Sequence, residues 1–134
     1  MMQDNYSKSL AKVALGCIVI NTDTTTTSVI IDTAGFESGK FVLFTGVITA
    51  GDVTITKIQE SDDSGMSGAT DIPAARLIGT AGTAITVAET THELGFVTDT
   101  KMRYVQATFT TANSANLLAG ATCELGHPHN TPVR

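Results

Sequence analysis

The residues able to do chemistry in this 134-residue chain fall into four groups, acids, histidines, serines and cysteines. Glu60, Asp62, Asp63 and Asp71 bracket a Gly/Ser-rich stretch, 61–70. Calcium takes hard oxygen donors, about six to eight of them, and these carboxylates with loop carbonyls are of that kind. The Asp-x-Asp-x-Asp-Gly spacing of an EF-hand loop is missing, so the stretch reads as a solvated turn whose Asp side chains bond backbone amides. His127-Pro-His129 is the one metal-like histidine pair. Zinc needs a third ligand in a defined geometry, and the sequence offers none at that spacing, so no metal is expected. None of the eight serines lies in Gly-x-Ser-x-Gly, the strained turn that exposes a nucleophile. Glu37-Ser-Gly-Lys40 has the Gly-Lys of a phosphate loop without the Ser/Thr that should follow it. Neither an enzyme nor a cofactor is expected. Cys17 and Cys123 lie outside any Cys-x-x-Cys and read as two reduced core thiols. A disulfide between them would need adjacent strands with Cα atoms under ~7 Å apart.

Composition says which elements must carry these groups. Thr (23), Val (10) and Ile (10) make this a β-branched chain. Such side chains are stiff at χ1 and suit a pleated sheet better than a helix. Charged residues are 16% and the net charge is −5. A nucleic-acid binder would carry a basic patch to neutralise phosphates, so that partner is not expected. The longest apolar run, 13–20, has eight residues, where a membrane helix needs about 20, so no membrane partner is expected. Lys8 and Lys12 precede the run, but a secretory signal would place its apolar stretch ahead of the cysteine and end in a small-residue site. The run is therefore read as a strand. Sugar-binding sandwiches stack rings on exposed aromatics, and here there is no Trp and there are two Tyr, Tyr6 and Tyr104.

Strand-like segments recur every 8–15 residues between Gly, Asp, Asn and Ser clusters. We place them at about 15–20, 27–32, 40–48, 53–60, 75–79, 83–88, 91–97, 102–110 and 117–126. In 40–48 both parities are apolar, Phe41, Leu43 and Val47 against Val42, Phe44 and Ile48, which predicts burial on both faces. In 53–60 the parity slips between Ile55 and Ile58, which predicts a β-bulge near Thr56–Lys57. Thr49-Ala-Gly-Asp52 reads as a hairpin turn. The expected fold is all-β, a two-sheet antiparallel β-sandwich. A jelly roll is the first choice and an immunoglobulin-like sandwich, which would show a Cys…Trp…Cys pattern, the second. The expected organisation is an N-terminal arm or short helix over 1–14, a sandwich over 15–126 and an extended tail over 127–134.

Several stretches, in order along nearly the whole chain, give it a family likeness. They are Leu10-Ala-Lys-Val-Ala14, Gly35-Phe-Glu-Ser38, Thr45-Gly-Val-Ile-Thr49, Lys57-Ile-Gln-Glu-Ser-Asp-Asp63, Arg103-Tyr-Val105 and Gly126-His-Pro-His129. Together they resemble the bacteriophage capsid cement or decoration (head stabilisation) proteins of jelly-roll fold. The chain departs from that pattern at Gly65-Met66, where the family often has Trp, and at His129, where it often has Arg. The resemblance implies a structural virion protein on the capsid exterior, present in the host cytoplasm during assembly. It would bind the phage major capsid protein, bridge its subunits, and associate with itself as a dimer or trimer. The alternative is a non-catalytic sugar-binding or adhesive module on a phage tail or cell surface. Expected capsid or subunit contacts are Tyr6, Lys8, Lys12, Phe41, Phe44, His127, His129 and Arg134. They come from the chain ends and from the doubly apolar strand.

Overall fold

The computed structural model describes residues 8–129. They form nine strands: β1 (Leu10–Ile20), β2 (Thr25–Thr27), β3 (Ile31–Asp32), β4 (Phe36–Ser61), β5 (Thr70–Asp71), β6 (Leu77–Ile78), β7 (Ala84–Ile85), β8 (Thr91–Val97) and β9 (Tyr104–Pro128). A three-residue 3-10 turn, Ala74–Arg76, is the only helical element among the described residues. Two strands dominate. β4 and β9, of 26 and 25 residues, pair antiparallel from Phe36 opposite Pro128 to Ser61 opposite Tyr104. The register slips repeatedly around Thr45–Asp52 and the pairing then resumes. The slips divide the ladder into two halves. In the first, order β1-β9-β4-β8-β6 holds. In the second, β2 and β3 pair with the start of β9, and β5 and β7 with the end of β4.

The inward residues of both halves belong to one buried cluster. Phe41 and Leu43 from the first half meet Val53, Ile55 and Ile58 from the second, along with Phe96, Val105, Phe109, Leu117 and Leu125. The Phe41 and Phe96 rings lie 5.8 Å apart and tilted, the offset geometry aromatic pairs prefer. The expected sandwich is thus realised as one antiparallel sheet folded on itself, with two long bent strands passing between the layers. The predicted bulge is present: Ile55 opposes Phe109, Lys57 opposes Thr108, and the extra residue, Thr56, donates its hydroxyl to the Thr108 carbonyl at 3.0 Å. Its parity switch is what buries Ile55 and Ile58 on the same side.

Three local expectations are corrected. Thr49–Asp52 is not a hairpin turn, because the strand runs through it and pairs with β9 on both sides. It is the corner of β4. The matching corner of β9 holds Asn113 and Ser114, both in the left-handed region at φ 61°. Two aspartates fix it: Asp23 accepts the amides of Ser114 and Ala115, and Asp52 accepts the Asn113 side-chain amide. Second, the part of the N-terminal arm that is described is not a helix: Leu10–Val13 pair with Thr122–Leu125 of β9, since alternating Leu, Ala, Lys and Val suit a strand at a sheet edge. Third, residues 127–129 stay with the sheet, because Pro128 still opposes Phe36 and His129 donates its amide to the Gly35 carbonyl at 2.8 Å; 130–134 lie outside the described residues.

Candidate interaction face and cleft

Strand parity gives each half an inner and an outer face. On the outer face of the second half, Thr54 and Thr110, Lys57 and Thr108, and Gln59 and Gln106 oppose one another. Arg103 sits over the Tyr104 ring at 5.3 Å and grips Asp32 through Nε and Nη2, both at 2.7 Å. Those hydrogen bonds hold the Asp32 carboxyl below its ordinary value against a partial burial that would raise it, and Lys12 adds a weaker pull. This face is polar and internally paired.

The outer face of the first half is different. Its rows run Val13–Thr122–Val42, then Gly120–Phe44, then Val19–Leu118. Val13, Val19 and Val47 are 64%, 70% and 68% exposed. Phe44 is half-buried because its ring lies across Gly120, where a Cβ would fall 2.7 Å from the ring. Leu118 covers Gly46 in the same way, with 2.8 Å to the nearest carbon. Two glycines therefore let two large apolar side chains lie flat on the sheet, making a low, uncharged surface. A row of charge borders it: Lys40 lies 3.2 Å from Glu93 and 3.4 Å from Glu124. Burial alone would lower Lys40, and the two carboxylates outweigh it and raise the ammonium above its usual value. Beyond this row lies an open cleft of about 880 Å³, lined among others by Ser38, Lys40, Ile78, Glu93, Glu124 and His127.

The expected contacts scatter over this geometry. Tyr6 and Arg134 lie outside the described residues. Phe41 cannot be a surface contact: it is wholly buried in the chain's own core, since its parity points it inward. Phe44 does lie on the outer face. Lys8 lines the cleft. Lys12 shares the Cys123 side of the sheet, with its charge felt at Asp32. His127 and His129 do not converge: His127 Nδ1 lies 2.7 Å from Ser38 Oγ, and His129 Nε2 lies 3.7 Å from Glu37. Sequence reasoning missed Val13, Val19, Val47 and Leu118. Leu118 alternates with buried Leu117 and Ala119, whereas Val47 lies between two half-buried residues and shows no such pattern.

The acids also part company. Asp63 accepts the amides of Gly65 and Ser67 at 2.8 and 3.2 Å, the turn expected of it. Asp71 takes the Gln59 amide at 3.1 Å, and Glu60 is gripped by Arg76. Among the described residues no three His, Cys, Asp or Glu side chains are grouped as metal ligands.

Both cysteines are free, but only Cys123 is in the core; Cys17 is exposed, because the bulges of β1 turn it out. Burial pushes the Cys123 thiol up to about 12. Thiolate is the reactive form, so a disulfide reagent at pH 8 should titrate one thiol per native chain quickly and the second only in denaturant. Two fast thiols in the native state would show that Cys123 is not packed as described.

No protein-family profile matches the chain, and no curated protein matches it. Among solved structures, the chain is similar to the SPBc2 prophage-derived protein YomS, whose crystal structure superposes with a TM-score of 0.49 at 9% identity over 89% of this chain and 95% of that one.

Proposed function

We propose that the chain is a non-catalytic structural protein of a phage particle, a cement protein that binds the outer surface of the head and bridges major capsid protein subunits. The ordered likeness of its sequence stretches to that family supports this reading. The observation that carries it is the contrast between the two outer faces. One is Thr-rich and paired with itself. The other presents Val42, Phe44, Val47 and Leu118 on a flat, uncharged surface beside an ion-paired row. Large exposed apolar patches mark interaction sites, and a rigid β-surface loses little entropy on docking. Many copies on a lattice make a modest contact sufficient.

Purified protein added to heads of the parent phage that lack it should bind saturably, and cryo-electron microscopy should show its density on the exterior. Val47→Asp should weaken binding about tenfold, the equivalent of ~1.4 kcal/mol. It should leave the melting temperature unchanged, because Val47 is largely exposed. Absence of saturable binding rejects the reading, and defined ligands on a glycan array would favour a sugar-binding module.

A further inference from the structure

Of the five asparagines in the chain, Asn113 alone is followed by a residue as small as serine, Ser114. Asparagine is a thermolabile residue, and a small following residue leaves its own amide open to the asparagine side chain. In such a pair the Ser114 nitrogen can attack Asn113 Cγ. The new C–N bond closes a succinimide ring, the bond to the side-chain nitrogen breaks, and the amide proton ends on the departing ammonia. Water then opens the ring at either carbonyl and leaves aspartate or isoaspartate at position 113. Water is the only other reactant.

In the fold this pair is the exposed corner of β9, so water reaches it. Both reacting groups are nevertheless held. The Ser114 amide donates to Asp23 Oδ2 at 3.2 Å, and Asn113 Nδ2 donates to Asp52 Oδ2 at 2.5 Å. The nucleophile and the carboxamide it must reach are tied to different carboxylates. Neither carboxylate is loosely placed. Asp23 also takes the Ala115 amide at 2.8 Å. The residues on either side of Asp23 are stitched to buried Thr111, whose hydroxyl donates to the Thr22 carbonyl at 2.9 Å and accepts the Thr24 amide at 2.9 Å. Asp52 is buried and opposes Ala112 in the ladder.

We propose that Asn113 is a latent site of self-deamidation and that Asp23 holds it closed in the folded chain. Asp23 acts twice. The Ser114 nitrogen must leave its hydrogen bond before it can turn toward Asn113 Cγ. It must also lose its proton beside a carboxylate, where a second negative charge is disfavoured. The products do not fit the corner. Isoaspartate adds a methylene to the main chain where there is no slack, since a Cβ on Gly51 would already fall 2.5 Å from the Ala112 carbonyl oxygen. Either product sets a new carboxylate against Asp52 in place of the amide that Asp52 accepted. The fold therefore suppresses a reaction that would open it. The proposal is independent of the particle reading, since it concerns the purified protein alone.

The test follows Asn113 with time at mildly alkaline pH, by peptide mapping with mass spectrometry. Native Asp23→Ala should convert Asn113 at least ~tenfold faster than the native wild type, the equivalent of ~1.4 kcal/mol and the low end for a hydrogen bond to an ionised group. Wild type unfolded in urea should outpace native wild type by at least the same factor. That comparison needs no variant and keeps the proposal testable should Asp23→Ala fail to fold. Native Arg76→Met separates local release from global unfolding, because Arg76 holds Glu60, at the other end of the second-half ladder from Asp52. It should stay near the wild-type rate. Equal rates in native and unfolded wild type, Asp23→Ala no faster than wild type, Arg76→Met as fast as Asp23→Ala, or another asparagine converting ahead of Asn113 in the Asp23→Ala protein would each overturn it.

Discussion

Gly51→Ala is expected to cost at least ~3 kcal/mol of stability. Gly51 is the corner of β4 and adopts φ +78°, a region where an L-residue pays about 1–2 kcal/mol. The larger part is steric. A Cβ there would fall 2.5 Å from the Ala112 carbonyl oxygen and 2.6 Å from the Ala115 Cα, all backbone of the β9 corner. Neither atom can retreat cheaply. Ala112 flanks the left-handed pair Asn113–Ser114, and the Ala115 amide is tied to Asp23 at 2.8 Å. The two corners touch because the two long strands must bend at the same level for the halves to share one core. Gly68→Ala is the control, because Gly68 has φ +67° and nothing within 4 Å of its added Cβ. It should lose only the conformational part, about 1 kcal/mol. Urea unfolding of both variants separates the two effects, and equal losses would show that the corners do not meet closely.

These corners also mark where the sequence ceased to be legible. A glycine followed by aspartate between two apolar runs looks the same whether the chain reverses or bends, since both need a residue free to take positive φ. What decides is the partner strand. If β4 reversed at Thr49–Asp52, its halves would pair with each other; instead both pair with β9, 43 to 92 residues away in sequence. The gap left at 111–116 between two expected strands has the same cause, since that stretch is the second corner and β9 runs through it. Where a rule needed only local parity, it held. The slip from Ile55 to Ile58 located the bulge, and 91–97 was read at its full length. The doubly apolar strand was half understood. Phe41 and Leu43 fill the core, but the outward side is only partly covered, because Gly46 and Gly120 allow Leu118 and Phe44 to lie flat. Glycines across a ladder carry no signal until the register is known. Of the expected contacts, only Phe44 falls on the apolar face, since contacts were sought at the chain ends and the face lies on the sheet.

Arg76→Met should destabilise the protein by about 3 kcal/mol, the lower end of the range for breaking a buried ion pair. Glu60 is 4% exposed, on the last turn of pairing between β4 and β9, and both its oxygens are taken by the Arg76 guanidinium. Nη1 lies 2.9 Å from Oε2 and also donates to the Val97 carbonyl at 3.2 Å. The Glu60 hydrogen bonds raise Arg76 above its already high value, so the guanidinium stays charged. Arg76 therefore fastens the 3-10 turn to β4 and to the end of β8. Its side chain is a quarter exposed, which lets some water reach a stranded carboxylate and keeps the cost from the top of the range. The loss should appear as a fall of roughly 6–15 °C in melting temperature for a chain of this size. The double variant Glu60→Leu with Arg76→Met tests the cause. If the penalty is an unpaired buried charge, removing that charge recovers most of the loss, because two apolar side chains leave nothing unsatisfied. If the double variant is as unstable as Arg76→Met alone, the guanidinium acts through its packing and its bond to Val97, and the ion pair is not what holds the turn.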